Sequence, residues 1–443
     1  MNKAFDKISE VLGGPMSKVS EQKHLRSIRD GVVGAIPFII VGSVFLLIAM
    51  IPLPEGSGLA LWQKANQATI LIPYRLTFNA MALYVSFGVG YHLAERYKIS
   101  ALSGGLISVC GFLVSLAPTL FNPANIITTT LVGNDATAYK VMAKEGLYMP
   151  IANFASKGIF SAIIIAIIAV EILRLCYKYH ITIKLPEQVP ASVARSFEAI
   201  VPVAFVVCIF SIISILGGIN LETIIGTLVD PLIKVGDNLA GGLVVVFINS
   251  FFWSFGIHGS AIMDPITQPL WLSMLGENTD AHTAGLQMTH LMPQPFYQFF
   301  VYIGGSGAVL GLVIATLIVA KSGYGKSISK ATLIPSIFNI NEPIIFGFPV
   351  MLNPILIIPF IITPIVLLLI SWVATALGLV GIAFIQPPWT LPAPLGAFFA
   401  TGDWRAIILS LINIAIATVI YLPFAKTYDT QLQKEENNNQ IAE

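Results

Sequence analysis

The chain has 443 residues, 56% of them hydrophobic, and only 47 formal charges, 24 basic and 23 acidic. A soluble domain carries about 25% charged residues; the 11% here excludes an ordinary aqueous globule. The near-neutral balance provides no basic stripe to neutralise phosphates and excludes nucleic acid as a partner. Residues 1–30 hold ten of the charges and residues 426–443 six, which leaves 31 for the 395 residues between. The composition therefore predicts an all-α polytopic membrane protein embedded in a lipid bilayer.

The opening stretch alternates charges with Phe5, Ile8, Val11 and Leu12, as a short amphipathic surface helix does, and lacks the basic-then-apolar order of a cleaved signal peptide. Charge-poor runs long enough to span then follow at Gly31–Ile51, Leu76–Ala94, Ile99 to about Phe121, Ile151–Leu173 and Ala199–Leu221. Arg75 and Asn79 begin the second of these runs, and His92 and Glu95 share a helix face near its end. In the second half the runs are Asn238–Met263, Leu291–Ala320, a charge-free stretch from Pro343 to Gly402 expected to hold two crossings, and Ala406–Ala425. Cys110, Cys176 and Cys208 lie scattered in or beside apolar stretches, with no CxxC pair, and read as small packing residues.

Six Lys or Arg precede the first run, which predicts a cytoplasmic N-terminus, an outer polar loop at Asn122–Tyr148 and an inner loop at Arg174–Arg195. Three apparent crossings then separate that inner loop from Lys321, Lys326 and Lys330, which also argue for the inside. Three is odd, so one segment must enter and leave on the same side or residues 263–299 must contribute another pass. Irregular backbone at membrane depth is tolerated only where protein or a wet cavity satisfies it. Prolines at 343, 349, 354, 359 and 364 fit either ordinary kinks or such breaks, and the Pro-rich stretch Gln386–Gly402 is predicted to be non-helical or a hairpin.

Glu342 is the only formal charge in the 72 residues between Lys330 and Asp403. It stands in Asn339-Ile340-Asn341-Glu342-Pro343, with Pro343 expected to hold it extended. An acid at membrane depth faces a cavity or a partner; the plainer alternative is an interfacial helix-end glutamate satisfied by water. His258 lies in the charge-free run Asn238–Met263, between Gly256 and Gly259, and reads either as a hydrogen-bonded packing residue or as a ligand contact. Together with Trp253 and Trp389 these groups suit a neutral polyhydroxylated solute, whose hydroxyls pair with carboxylates and amides while its C–H faces lie on aromatic rings. Asp264-Pro265 reads as a helix or turn cap, and His282, His290 and Asp280 as a solvated polar loop. Gly304, Gly305, Gly307 and Gly311 read as close helix packing. The sequence offers no metal or cofactor motif.

Asn341-Glu342-Pro343-Ile344-Ile345-Phe346-Gly347, preceded by Phe338-Asn339-Ile340, together with Phe255-Gly256-Ile257-His258-Gly259 and Leu25-Arg26-Ser27-Ile28-Arg29-Asp30-Gly31, resembles the membrane IIC component of bacterial phosphotransferase sugar transporters, in the lactose, cellobiose and diacetylchitobiose branch. The likeness runs over nearly the whole chain. It implies a homodimer in the bacterial cytoplasmic membrane, with both termini cytoplasmic and about ten transmembrane helices plus re-entrant hairpins in the C-terminal half. Residues 1–30 would be a cytoplasmic segment, 31–220 a dimerisation half, 221–425 a substrate-binding half and 426–443 a polar cytoplasmic tail. It further implies that Glu342 and His258 hold a disaccharide near its 6-hydroxyl, with Asn341 and Asn339 beside them and Trp253 and Trp389 as ring platforms. A separate IIB protein would donate phosphate from a phosphocysteine, supplied in turn by IIA, so no catalysis is expected of this chain alone. The competing expectation is a proton-coupled sugar transporter with Glu342 as its protonation site.

Overall fold

The computed structural model describes residues 21–51, 53–54, 56–116, 119–121, 146–148, 151–186 and 188–442. The expected amphipathic N-terminal helix and residues 122–145 of the expected outer loop lie outside the described residues. Within them the architecture is helical, apart from a short antiparallel ladder that pairs β1 (Thr119–Phe121) with β2 (Gly146–Tyr148). Among the described residues six helices are long and apolar enough to cross a bilayer, or up to eight if each of two sharply bent pairs forms one span. The chain forms two compact units, residues 79–229 and residues up to 78 together with 230 onward. The first two helices thus group with the carboxy-terminal half.

Those two are α1 (Lys23–Met50) and α2 (Gly58–Thr77). Gln22 caps α1 by accepting from the Leu25 N–H at 2.7 Å, and Gln63 of α2 donates to the carbonyls of Ile48 and Ile51 at its other end, at 2.8 and 3.1 Å. The last carbonyls of a helix have no partner within it, so this side chain completes the turn. Arg75 sits exposed in the last turn of α2 and not at the start of a span.

The 79–229 unit contains α3 (Met81–Arg96), α4 (Ala101–Ser115), α5 (Ile159–Lys178), the short α6 (Ala191–Glu198) and α7 (Ile200–Phe210), which a wider turn continues through Leu216. Here α3 and α4 approach so closely that a Cβ on Gly90 would lie 2.5 Å from the Gly104 carbonyl oxygen. His92 and Glu95, expected on one helix face, lie 3.3 Å apart. Of the cysteines, Cys176 is buried as a packing residue while Cys208 is exposed.

In the other unit α8 (Leu221–Gly236), which begins in the 79–229 unit, meets α9 (Leu239–Ser254) at 77°, and α11 (Gln294–Ala308) meets α12 (Leu310–Val319) at 61°. These bends fall in the region where the count of crossings comes out odd. Between them runs α10 (Gly259–Thr283); after them come α13 (Gly323–Ile337), α14 (Glu342–Gly347), α15 (Ile357–Ala376), α16 (Ala393–Thr401) and α17 (Arg405–Ala442). Two expectations are corrected here. The Pro343–Gly402 stretch contains one 20-residue helix, not two, because the prolines and glycines on either side interrupt the helical ladder. The Gln386–Gly402 stretch is irregular only in its first part and then forms α16. The chain beyond 425 continues as helix, and its Asp429 accepts from the Lys321 and Ser322 N–H groups at 2.7 and 3.2 Å while Glu436 accepts from Gly323 and Tyr324 at 3.1 and 2.9 Å. Carboxylates at a helix N-terminus satisfy its orphan donors, so α17 caps α13.

The irregular backbone before α16 is paired residue by residue. Asn278 of α10 donates to the Ala383 carbonyl at 3.0 Å and Thr279 to that of Phe384 at 2.5 Å. The N–H of Gly381 reaches Asp403 at 2.8 Å, and those of Phe384 and Ile385 reach the Ala400 carbonyl. His282 stacks on Phe384 with ring centroids 3.8 Å apart.

The expectation of a solvated loop at His282 and His290 is therefore overturned. The His290 Nδ1 lies 3.0 Å from Asp237 and its Nε2 3.0 Å from Glu277, while Asp237 also accepts from the Met292 N–H at 3.2 Å. This imidazole joins the α8–α9 bend, the end of α10 and the segment entering α11. Burial by itself lowers its pKa, but the hydrogen bonds and charges of the two carboxylates outweigh that and raise it to about 9. A raised histidine pKa contributes stability in full below about 6.5 and loses it as pH climbs to about 9. Thermal unfolding of the detergent-solubilised protein is expected to show a midpoint that falls by several degrees across this window, a slope that His290→Gln abolishes.

Candidate functional site

The interruption between α9 and α10 builds one wall of a cavity. Gly256 takes a φ of +78°, a left-handed conformation that side chains other than glycine's disfavour, and the chain resumes as α10 two residues later. His258 is the cap of α10: its Nδ1 accepts from the Ala261 N–H at 3.2 Å. That bond assigns the proton of the neutral ring to Nε2, so the outward edge of the imidazole is a donor. Trp253, 3% exposed, packs its ring 4.3 Å from the imidazole at 45°.

The opposite wall comes from α14. Ile344 and Ile345 are fully buried in a core with Trp253, Val313, Phe348, Phe360 and Tyr421, and this anchorage fixes Glu342 on the first turn. Pro343 does not hold Glu342 extended as expected: it occupies the first turn of α14, where its missing N–H costs nothing. Glu342 and His258 are both exposed on the wall of an open cavity and act on each other electrostatically. Glu342 thus faces a cavity, as an acid at membrane depth is expected to.

The floor is the turn that ends α11. Gly304 and Gly305 have φ of +82° and +97°, and a Cβ on Gly305 would stand 2.6 Å from that of Asn341. Gly304, Gly305 and Gly307 therefore form a backbone break, which corrects the expectation of helix packing; Gly311, pressed against Ala417, meets it. The cavity measures about 260 Å³ and is lined by all six sequence-predicted residues, Trp253, His258, Asn339, Asn341, Glu342 and Trp389.

Their environments differ. Asn341 is buried beside Gly305, and Trp389 is 46% exposed at the cavity edge. Asn339 is committed to the protein: its Nδ2 donates to the carbonyls of Trp389 and Leu391, both at 2.8 Å, and its Oδ1 accepts from the Gly304 N–H at 2.9 Å. It thereby ties three interrupted segments together, in a left-handed conformation (φ +62°) that asparagine tolerates. Sequence reasoning missed Asp264, Gln268, Trp271, Tyr297 and Tyr302, which also line the cavity. Asp264 is not the expected cap but lies inside α10. The four-residue spacing of Ser260, Asp264 and Gln268 after His258 was the available signal. Among the described residues no cluster of histidine, cysteine and acidic side chains suits a metal ion.

Asn339→Ala leaves one buried donor and two carbonyls without their partner, at about 1–3 kcal/mol per group, and strains the left-handed backbone. It is expected to lower the thermal midpoint in detergent by several degrees, and Asn339→Gly, which relieves only the backbone, is expected to recover a minor part.

Residues 29–364 match the family model described as "Phosphotransferase system, EIIC". The chain is 37% identical to the cellobiose-specific EIIC component of Geobacillus stearothermophilus, over 97% of this chain and 94% of that one. It is 35% identical to the lichenan permease IIC component of Bacillus subtilis (strain 168), over 100% of this chain and 97% of that one. Among solved structures it is similar to the transporter ChbC, the IIC component of the N,N'-diacetylchitobiose-specific phosphotransferase system, with a TM-score of 0.88 and 36% identity, covering 97% of this chain and 99% of that one. The matched residues run from Arg29 through the His258 cap and the Glu342 turn, so the chain belongs to the EIIC family, the integral membrane sugar-transport components of phosphotransferase systems.

Proposed function

We propose that the chain binds a β-linked disaccharide of the cellobiose or diacetylchitobiose type in the cavity between the α10 cap and α14, carries it across the cytoplasmic membrane and presents its 6-hydroxyl to a phosphocysteine on a IIB partner, itself charged by IIA. The observation that carries this reading is the convergence of Glu342 and His258, distant in sequence, on one open cavity with Trp253 and Trp389. A carboxylate that accepts and an imidazole edge that donates suit a single hydroxyl, while the indoles suit the C–H faces of pyranose rings. In the transfer step the 6-hydroxyl proton passes to Glu342, the new O–P bond forms, and the S–P bond breaks with the cysteine thiolate as leaving group. Positioning and charge control dominate such a reaction. The dianionic product then faces Glu342, which repels it toward release.

Asn341 contributes beside the acid, and Asn339 acts on the sugar through the shape of the floor that it ties together. In this reading residues 31–220 provide the contacts of a homodimer in the bilayer, residues 221–425 the binding half, and both termini are cytoplasmic.

The test uses membrane vesicles containing the chain, with phosphoenolpyruvate and the soluble phosphotransferase proteins, and measures phosphorylated cellobiose. Glu342→Gln and His258→Ala are each expected to lower its formation by about 10²–10⁴-fold, the usual span for a general base or its partner, with sugar binding weakened in at least one. Wild-type rates in both remove the site. Accumulation of free sugar that an uncoupler abolishes replaces the reading with proton-coupled transport.

A further inference from the structure

A second cavity, of about 680 Å³, lies within the 79–229 unit, and none of the residues that line it lines the first. It sits where α3 and α5 end and α4 begins. Tyr91 on α3, Lys98 in the turn to α4, Leu102 on the first turn of α4, Tyr177 near the end of α5 and Glu198 at the end of α6 contribute to its wall. The cations Arg96, Lys98, Arg174 and Lys178 gather at this end of the helices, as do Tyr91, Tyr97, Tyr177 and Tyr179. Basic residues mark the cytoplasmic side of a span, and a belt of tyrosines marks the level of the lipid headgroups. Leu102 and Leu106, one turn apart on α4, are exposed on the membrane side of that level.

Some charges at this end are spent within the protein and some are not. The Arg174 Nε lies 2.9 Å from Glu171, its guanidinium lies 4.6 Å from the Tyr97 ring centroid, and the Tyr97 hydroxyl donates to Glu171 at 2.5 Å. Lys98 has no such partner. Among the described residues its ammonium forms no hydrogen bond or ion pair, and the Tyr91 hydroxyl forms no hydrogen bond. Glu198 accepts from the Tyr177 hydroxyl at 3.1 Å through Oε2, and among the described residues its Oε1 has no partner. Lys98 also holds a φ of +57°, in the turn after a helix where glycine is favoured, so a cation stands there at a backbone cost.

An unpaired cation, a phenol and a half-satisfied carboxylate on the wall of one cavity suit a zwitterion; a simple anion would meet Glu198 as a like charge. We infer that the cavity holds the headgroup of a phospholipid bearing a primary ammonium, a phosphatidylethanolamine of the cytoplasmic leaflet. Lys98 and Tyr91 donate to its phosphate, Glu198 accepts from its ammonium, and its acyl chains run along Leu102 and Leu106.

The test titrates the delipidated full chain in detergent with phosphatidylethanolamine and with phosphatidylglycerol, which has the phosphate but no ammonium, and counts bound lipids by native mass spectrometry. The wild type is expected to bind the first roughly tenfold more tightly, as one added charge-assisted hydrogen bond gives. Lys98→Gln is expected to weaken both lipids roughly tenfold, and Glu198→Gln, which still accepts from Tyr177, to weaken phosphatidylethanolamine alone and so erase the preference. Lys98→Gly separates binding from folding: glycine takes the left-handed turn without strain, so the thermal midpoint is expected to hold or rise while both lipids bind more weakly. Equal affinity of the wild type for the two lipids, or unchanged affinities in the Lys98 and Glu198 variants, overturns the site. Bound lipid that disappears as monomer passes to dimer also overturns it and gives the cavity to a second copy of the chain. Where Glu198→Gln does not fold, Tyr91→Phe decides: weaker binding of both lipids is expected, and unchanged binding refutes the site.

Discussion

The cavity exists because broken backbone can be paired inside the protein. In hydrocarbon every N–H and C=O must find a partner within the chain, and the site is made of the segments where helices break: the α9–α10 interruption, the glycine turn late in α11 and the irregular run before α16. The first is held by backbone bonds such as Ile257 N–H to the Phe252 carbonyl, the other two by small polar side chains from elsewhere. Asn339 holds the Gly304 N–H and the carbonyls of Trp389 and Leu391; Asn278 and Thr279 hold those of Ala383 and Phe384; Asp403 holds the Gly381 N–H. Without these pairs the two segments would lose several hydrogen bonds in a setting where each unmade bond is expensive.

The same economy divides labour among the polar residues. Those spent on backbone, such as Asn339, shape the cavity, whereas Glu342 and the outer edge of His258 are exposed on its wall. Under the proposed function, exposure of Glu342 and His258 on an open wall suits groups that meet sugar and phosphoryl donor in turn.

Much of this was legible from residues alone. The solitary Glu342, the glycines flanking His258 and the odd count of crossings each marked a place where an ordinary spanning helix fails. The two bent pairs, α8–α9 and α11–α12, lie in the region that the odd count marked. What stayed hidden shares one cause: partners far apart in sequence. His290 reads as a loop residue until Asp237 and Glu277 are brought to it. Asp264 reads as a cap because proline follows it, yet the helix passes through both Asp264 and Pro265. Gly304, Gly305 and Gly307 read as packing sites, since composition does not distinguish a close helix contact from a left-handed turn.

The sequence by itself determined the solvent, since 11% charge and long apolar runs leave no aqueous solution to the folding problem. It also determined the places where helices must stop, because proline and glycine act locally on the backbone. Only the tertiary structure decided which stops face one another, which amides are consumed in holding them, and which carboxylates keep free lone pairs. Those outcomes depend on hydrogen bonds and ring contacts between segments a hundred or so residues apart, as between Asn278 and Ala383, and no local pattern encodes such a pairing.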